Sequence, residues 1–494
     1  MRAKTRFAIT ARMLIPLLML MIGGASVAQP NDGSQEAARD GGRKLDDHRI
    51  TEAIDSQLAH EPAIPAHRID ITTIDGIVNL SGTVSNLAAR RDARDIAEST
   101  KGVLAVINRI TVDPGKTVDD EAPVDDVKTA LLVDPATESF EVDVKADEGA
   151  ITLRGTVDSW AERRLAGDVT RSIAGVTSID NLVQVEQPET RSDAEIAPEI
   201  RGRLREDASI DDSDVEVTVD EGTVTLTGTV GSAFEKRAAT YKAWVAGVDT
   251  VVNENLTVEW WAKDPQQRRS GFTSADDSKI EKVVERAMLY DPRVESFEIG
   301  VSADSGRVTL TGRVDNLAAK STAEDLAQSC IGVWHVRNLI KVRPEDYPTD
   351  ETLEQRAREA IERDGFLESY EMDVRASDGT LILSGVVDSQ FEKDRAQTVM
   401  SRVQGIEEIR NRLDIAADWT WKSDAAIEMD VRDELFWSPF VDQDAIEVKV
   451  DNGEVTLRGQ VEDWSEVSDA IENAYEGGAR VVISHLDVES GADG

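Results

Sequence analysis

Side chains able to do chemistry are present in this chain, but not at the spacings that chemistry uses. His48, His60, His67, His335 and His485 recur at no interval that would gather metal ligands, and the sequence contains no Gly-x-Ser-x-Gly elbow, Walker loop or Cys-x-x-Cys pair. With 96 Asp plus Glu, abundance alone singles out no catalytic carboxylate pair. Asp211, Asp212 and Asp214 precede a strand, yet their spacing lacks the glycine and distal glutamate of a calcium loop. Cys330 is the sole cysteine. It allows no intrachain disulfide, and its place on the apolar side of a helix marks a small buried hydrophobe rather than a reactive thiol. These patterns predict no catalytic residue, no metal site and no cofactor, hence a protein that is not an enzyme.

Two recurring residue sets are better suited to binding. A basic residue returns early in one helix of five successive segments, at Arg90, Arg163, Lys236, Lys320 and Lys393. Ion pairing within or between units is one reading; a row of cationic points facing phosphate head groups is the other, and that binding would weaken with salt. Aromatics gather where segments end, at Trp260 and Trp261 and at Trp419 and Trp421. They either pack consecutive segments together or form an exposed patch for a partner or lipid. The net charge of −41 opposes nucleic acid and bare anionic lipid. It suits solubility or a salty habitat, or else a cation or cationic partner.

The elements that position these residues come six times. Turn glycines Gly76, Gly149, Gly222, Gly306, Gly379 and Gly453 each precede, by six residues, the strand glycines Gly82, Gly155, Gly228, Gly312, Gly385 and Gly459. Before each pair runs a helix with apolar residues four apart, ending its core face at Leu58, Leu131, Leu204, Met288, Ile361 or Leu435. An alternating strand, an Asp-Gly, Glu-Gly, Ser-Gly or Asn-Gly hairpin turn and a second apolar strand follow. The strand glycine faces inward, which predicts a bulge or close approach by another backbone, taken as the helix packed across the sheet; a ligand passing over it is the alternative. Helix caps Asn86, Ser159, Ser232, Asn316, Ser389 and Asp463 open a second helix with alanine at one recurring position, Ala93, Ala166, Ala239, Ala323, Ala396 and Ala470. A third strand closes the unit, parallel to the second after a right-handed crossover.

The predicted fold class is α+β: six tandem small αββαβ units, each a three-stranded mixed sheet covered by two helices. The units span 47–113, 123–186, 194–259, 277–343, 350–416 and 424–489. A longer linker at 260–276 predicts a bend dividing the array into two triplets. Residues 1–28, with Arg2, Lys4, Arg6 and Arg12 ahead of an apolar run and Ser26-Val27-Ala28 at its end, read as a signal peptide cleaved after about Ala28. Residues 29–46 form a flexible segment, and no transmembrane segment is expected in the mature chain.

This cassette resembles the BON domain, named for bacterial osmotically inducible and nodulation proteins. The likeness rests on Val-Thr-Leu-Thr-Gly-Thr-Val at 224–230, its copies at 151–157 and 308–314, and the downstream Gly332-Val333 and Asn338-Leu339. Unit six departs from it, with Ser484 in the asparagine position and Ala479 after Gly477-Gly478. The resemblance implies export to the periplasm, osmotic or envelope stress, phospholipid surfaces and chaperone-like protection. Two functions follow as expectations: a non-enzymatic envelope protein binding phospholipid or envelope proteins by many weak contacts, or a periplasmic stress chaperone that keeps clients soluble.

Overall fold

In unit one the local chemistry builds a helix, a hairpin, a second helix and a closing strand: α1 (Asp47–His60), β1 (Ile69–Ile74), β2 (Ile77–Val84), α2 (Leu87–Glu98) and β3 (Ala105–Val112). A computed structural model describes residues 45–488 apart from 62, 116–120, 138–139, 187–190, 261–276, 295–297, 334, 345–346, 417–421 and 462–463. The leader, nearly all of the 29–46 segment and of the 260–276 linker, Trp261, Trp419, Trp421 and Asp463 lie outside the described residues. Among those described there are twelve helices and six sheets, one mixed sheet per unit, and no helix is long and apolar enough to cross a membrane.

β2 lies in the middle of its sheet, antiparallel to β1 and parallel to β3. The same order recurs in the other five units, with the third strand interrupted in units two, three and four. Asp75 and Gly76 both take positive φ, 51° and 74°, as a tight hairpin requires. The two N–H groups this turn exposes donate to the carboxylate of Asp47, in the first turn of α1, at 2.8 and 2.9 Å. Asp193, Asp277 and Asp424 hold both turn N–H groups in their units in the same way. One carboxylate thereby caps a turn and locks a helix to the hairpin.

The strand glycine has a different cause from the one its inward position suggests. A Cβ at Gly82 would stand 2.0 Å from the carbonyl oxygen of Arg68, and one at Gly228 would stand 1.8 Å from that of Asp214. What crowds the glycine is therefore the residue leading into the first strand, on the neighbouring strand of the same sheet, and not the helix. Its φ, +120° at Gly82, lies where side chains are strained in any case. The helix above meets the sheet through alanine, and all six recurring alanines are fully buried.

The asparagine of the third strand proves to be a clamp. Asn108 Nδ2 donates to the carbonyl of Arg90 at 2.9 Å while its Oδ1 accepts from Ile110 N at 3.0 Å, tying α2 to β3. Asn181, Asn338 and Asn411 repeat both bonds.

Candidate functional site

Among the described residues three seams between units are built from one repeated pair of positions. In unit one Lys101 N donates to Trp437 O of unit six at 2.8 Å; in unit two Ala174 N donates to Arg363 O of unit five at 2.9 Å; in unit four Ile331 N donates to Glu206 O of unit three at 3.1 Å. Each donor lies nineteen residues after its strand glycine and each acceptor twenty-two before the partner's. Two seams gain a return bond, Gly365 N to Ser172 O at 3.0 Å and Ala208 N to Ser329 O at 2.9 Å, making short antiparallel bridges. The corresponding position in the other units is Pro62, Pro135, Pro292 and Pro439, which have no N–H to give. Among the described residues unit six therefore joins unit one by a single main-chain bond.

These bonds pair unit one with six, two with five and three with four. The triplets fold back on each other, and from Leu45 onward the chain forms one compact unit. Of the four tryptophans where segments end, only Trp260 is among the described residues. Trp260, at the end of unit three, receives Lys101 of unit one, whose Nζ lies 5.4 Å from the ring centroid. The aromatics that matter most at the first seam are Phe436 and Trp437, which sequence reasoning missed. Trp437, 4% exposed, belongs to the core of unit one, and Arg49 lies 5.6 and 5.4 Å from the two ring centroids. The available signal was an aromatic pair where the other five copies carry at most one aromatic, Tyr290 of unit four.

Beside that seam lies a set of buried acids. Glu434 of unit six accepts from Gln57 Nε2 at 3.1 Å and has His60 at 3.8 Å. Burial pushes its carboxyl up to about 7, that of Glu61 to about 7 and that of Glu476 to about 8.

The five recurring cations are all half-buried. Arg163 donates to Asn181 O at 2.8 Å and lies over the Trp160 ring at 5.3 Å. Burial lowers the Lys236 ammonium, opposed by Glu254. Arg90, Lys320 and Lys393 lend their carbonyls to the asparagine clamps, and no ion pair engages their side chains among the described residues. The geometry does not gather the five at one site. Asp214 turns out to serve through its carbonyl beside Gly228, and Asp211 caps Ser213 N at 3.1 Å. Among the described residues no group of three or more metal-ligating side chains assembles. Cys330, 3% exposed, lies in the seam between units three and four, and burial pushes its thiol up to about 12.

One cleft differs from the acidic surface around it. Units two, three and four meet around a cavity of about 410 Å³ lined by Trp160, Trp244, Tyr241 and Tyr290. Trp160 and Trp244 pack with centroids 4.3 Å apart, and Arg203 lies 3.9 Å from the centre of Tyr290.

The BON domain family model matches residues 46–114, 119–187, 192–259, 276–344, 349–417 and 423–490. Osmotically-inducible protein Y of Escherichia coli is 31% identical over 144 residues, 28% of this chain and 72% of that protein. Outer membrane lipoprotein DolP of Haemophilus influenzae is 28% identical over 153 residues, 30% of this chain and 77% of that protein. The 21 kDa hemolysin of Actinobacillus pleuropneumoniae is 25% identical over 154 residues, 30% of this chain and 79% of that protein. A solved structure of CdsD, a structural protein of the type III secretion system of Chlamydia trachomatis, aligns with 42% of this chain and 89% of its own at 19% identity and a TM-score of 0.12. With six matches in succession covering most of its length, the chain belongs to the BON-domain family.

Proposed function

We propose that this is a non-enzymatic, exported envelope protein serving in osmotic or envelope stress, which binds phospholipid through several weak contacts at once. The observation that carries the reading is the fate of the recurring cation. In a chain of net charge −41, Arg90, Lys320 and Lys393 stand at one equivalent helix position with no ion pair among the described residues. Cations spared from neutralisation in so acidic a protein suit an external anion, and repetition on one folded body turns weak contacts into avidity. The names osmotically-inducible protein Y and outer membrane lipoprotein support the setting.

Flotation with phosphatidylglycerol vesicles tests it. The protein is expected to float at low salt and not at 0.5 M salt, on the order of a Debye-length argument, and Lys320→Glu/Lys393→Glu to float less. Absence of flotation at low salt removes the lipid reading. Suppression of client aggregation without vesicle binding would move the assignment to a stress chaperone.

A further inference from the structure

The cleft among units two, three and four combines features that point to a ligand. Each carboxylate lining it is already engaged. Glu206 pairs with Arg286, Asp207 with Lys242 at 2.6 Å, and Asp291 takes Arg293 through two bonds of 2.9 and 2.7 Å. Arg203 is neutralised in turn by Glu199 at 2.7 Å. Once those pairs are set aside, Arg163 and Arg164 line the same cavity with no carboxylate in ion-pair reach among the described residues. The cleft therefore carries uncompensated positive charge inside a strongly acidic protein.

Neither guanidinium is idle: Arg163 donates to Asn181 O at 2.8 Å and lies over the Trp160 ring, and Arg164 lies 5.8 Å from the centre of the Tyr241 ring. Their charge, though, meets no carboxylate, which suits an acceptor-rich anion. The rest of the wall is aromatic. The tilted Trp160–Trp244 pair and the Tyr290 ring with Arg203 stacked on it offer flat faces to a planar apolar body. At about 410 Å³ the cavity falls in the size range of small-molecule sites.

We propose that this junction is a binding site for a small organic anion bearing a flat ring, such as an aryl phosphate or aryl carboxylate. Arg163 and Arg164 meet the charge, and the rings enclose the planar part. Three units contribute walls, so the site exists only in the assembled array and not in one BON unit. Of the five recurring cations only Arg163 lines it; Arg90, Lys320 and Lys393, which carry the membrane reading, do not.

The experiment titrates 1-naphthyl phosphate into the full chain by isothermal calorimetry and tryptophan fluorescence, with neutral 1-naphthol alongside. Saturable binding of the phosphate, with naphthol weaker by about tenfold or more, is the expected result, from the strength of charge-assisted bonds. Arg164→Ala, at an exposed position whose guanidinium lies 5.8 Å from the centre of the Tyr241 ring, should weaken the phosphate by about tenfold. Trp160→Phe keeps an aromatic face but gives up part of the indole's area and its N–H, and should weaken it by roughly threefold or more. Equal binding of naphthol and its phosphate, no saturable binding at millimolar ligand, or an affinity unchanged in Arg164→Ala with native circular dichroism would each overturn the proposal.

Discussion

Replacing Ala208 by proline would cut one bond of the seam between units three and four and give unit three the residue that four other units of this chain already carry there. Four of the six copies carry proline at that position. The preceding residue is extended in both kinds of unit: Asp207 has φ −94° and ψ 120°, and Ser438, which precedes Pro439, has φ −67° and ψ 126°. Proline demands such a predecessor, so the substitution strains little within unit three. Across the seam it removes the 2.9 Å bond from Ala208 N to Ser329 O and sets a ring carbon against that oxygen. Leaving one buried carbonyl unsatisfied costs about 1–3 kcal/mol. At about 1.4 kcal/mol per factor of ten, the seam opens roughly 5- to 150-fold more often. The protein supplies its own reporter, because Cys330, the sole thiol, is 3% exposed within this seam. Its reaction with a disulfide reagent should accelerate by that factor in Ala208→Pro, and should stay at the wild-type rate in Gly365→Pro, which cuts the corresponding bond between units two and five. A labelling rate unchanged in Ala208→Pro, with native circular dichroism, would refute the claim that these bonds hold the halves together.

Two further outcomes follow from the geometry. Gly228→Ala places a Cβ 1.8 Å from Asp214 O, whereas Gly385→Ala meets Glu371 O at 3.0 Å, both at positive φ; urea unfolding should show Gly228→Ala losing at least about 3 kcal/mol and Gly385→Ala distinctly less. Glu434, 5% exposed, has a carboxyl raised from 4.5 to about 7. A raised acid binds its proton more tightly when folded, so its stabilising effect is full below about 4.5 and is lost as pH rises through about 7. The thermal midpoint should therefore fall between pH 5 and 8, and Glu434→Gln should flatten that fall by about 3 kcal/mol at most; a variant with the wild-type slope would show that Glu434 stays charged in the seam.

The unit was legible in the sequence because its determinants are local and repeated. Cap residues such as Asn86 accept from the expected N–H, Ala89 N at 2.8 Å, the recurring alanines are buried, and the third strand is parallel to the second. The strand glycine was rightly marked as a close approach but assigned to the wrong neighbour, since periodicity places a residue on a face without saying which backbone atom lies nearest. The seams escaped because their partners are remote: Lys101 Nζ reaches Phe436 O across 335 positions. Their signal was nonetheless present, as alanine and glycine at 208 and 365 where four copies have proline, and it becomes readable only once the partner carbonyls are known. The cleft escaped for the same reason. Of the residues that line it, only Arg163 belonged to the recurring row of cations; Trp160, Arg164 and Arg203 gain meaning from three units meeting.

The folded-back pairing is tested most directly by spin labels at Glu52 of unit one and Met429 of unit six, two exposed and equivalent positions, in full-length protein with Cys330→Ser. Units of this size are about 25–30 Å across, so double electron–electron resonance should give one short population below roughly 40 Å if unit six docks on unit one. A distribution beyond that, toward the order of 100 Å expected of six units in an open row, would contradict it.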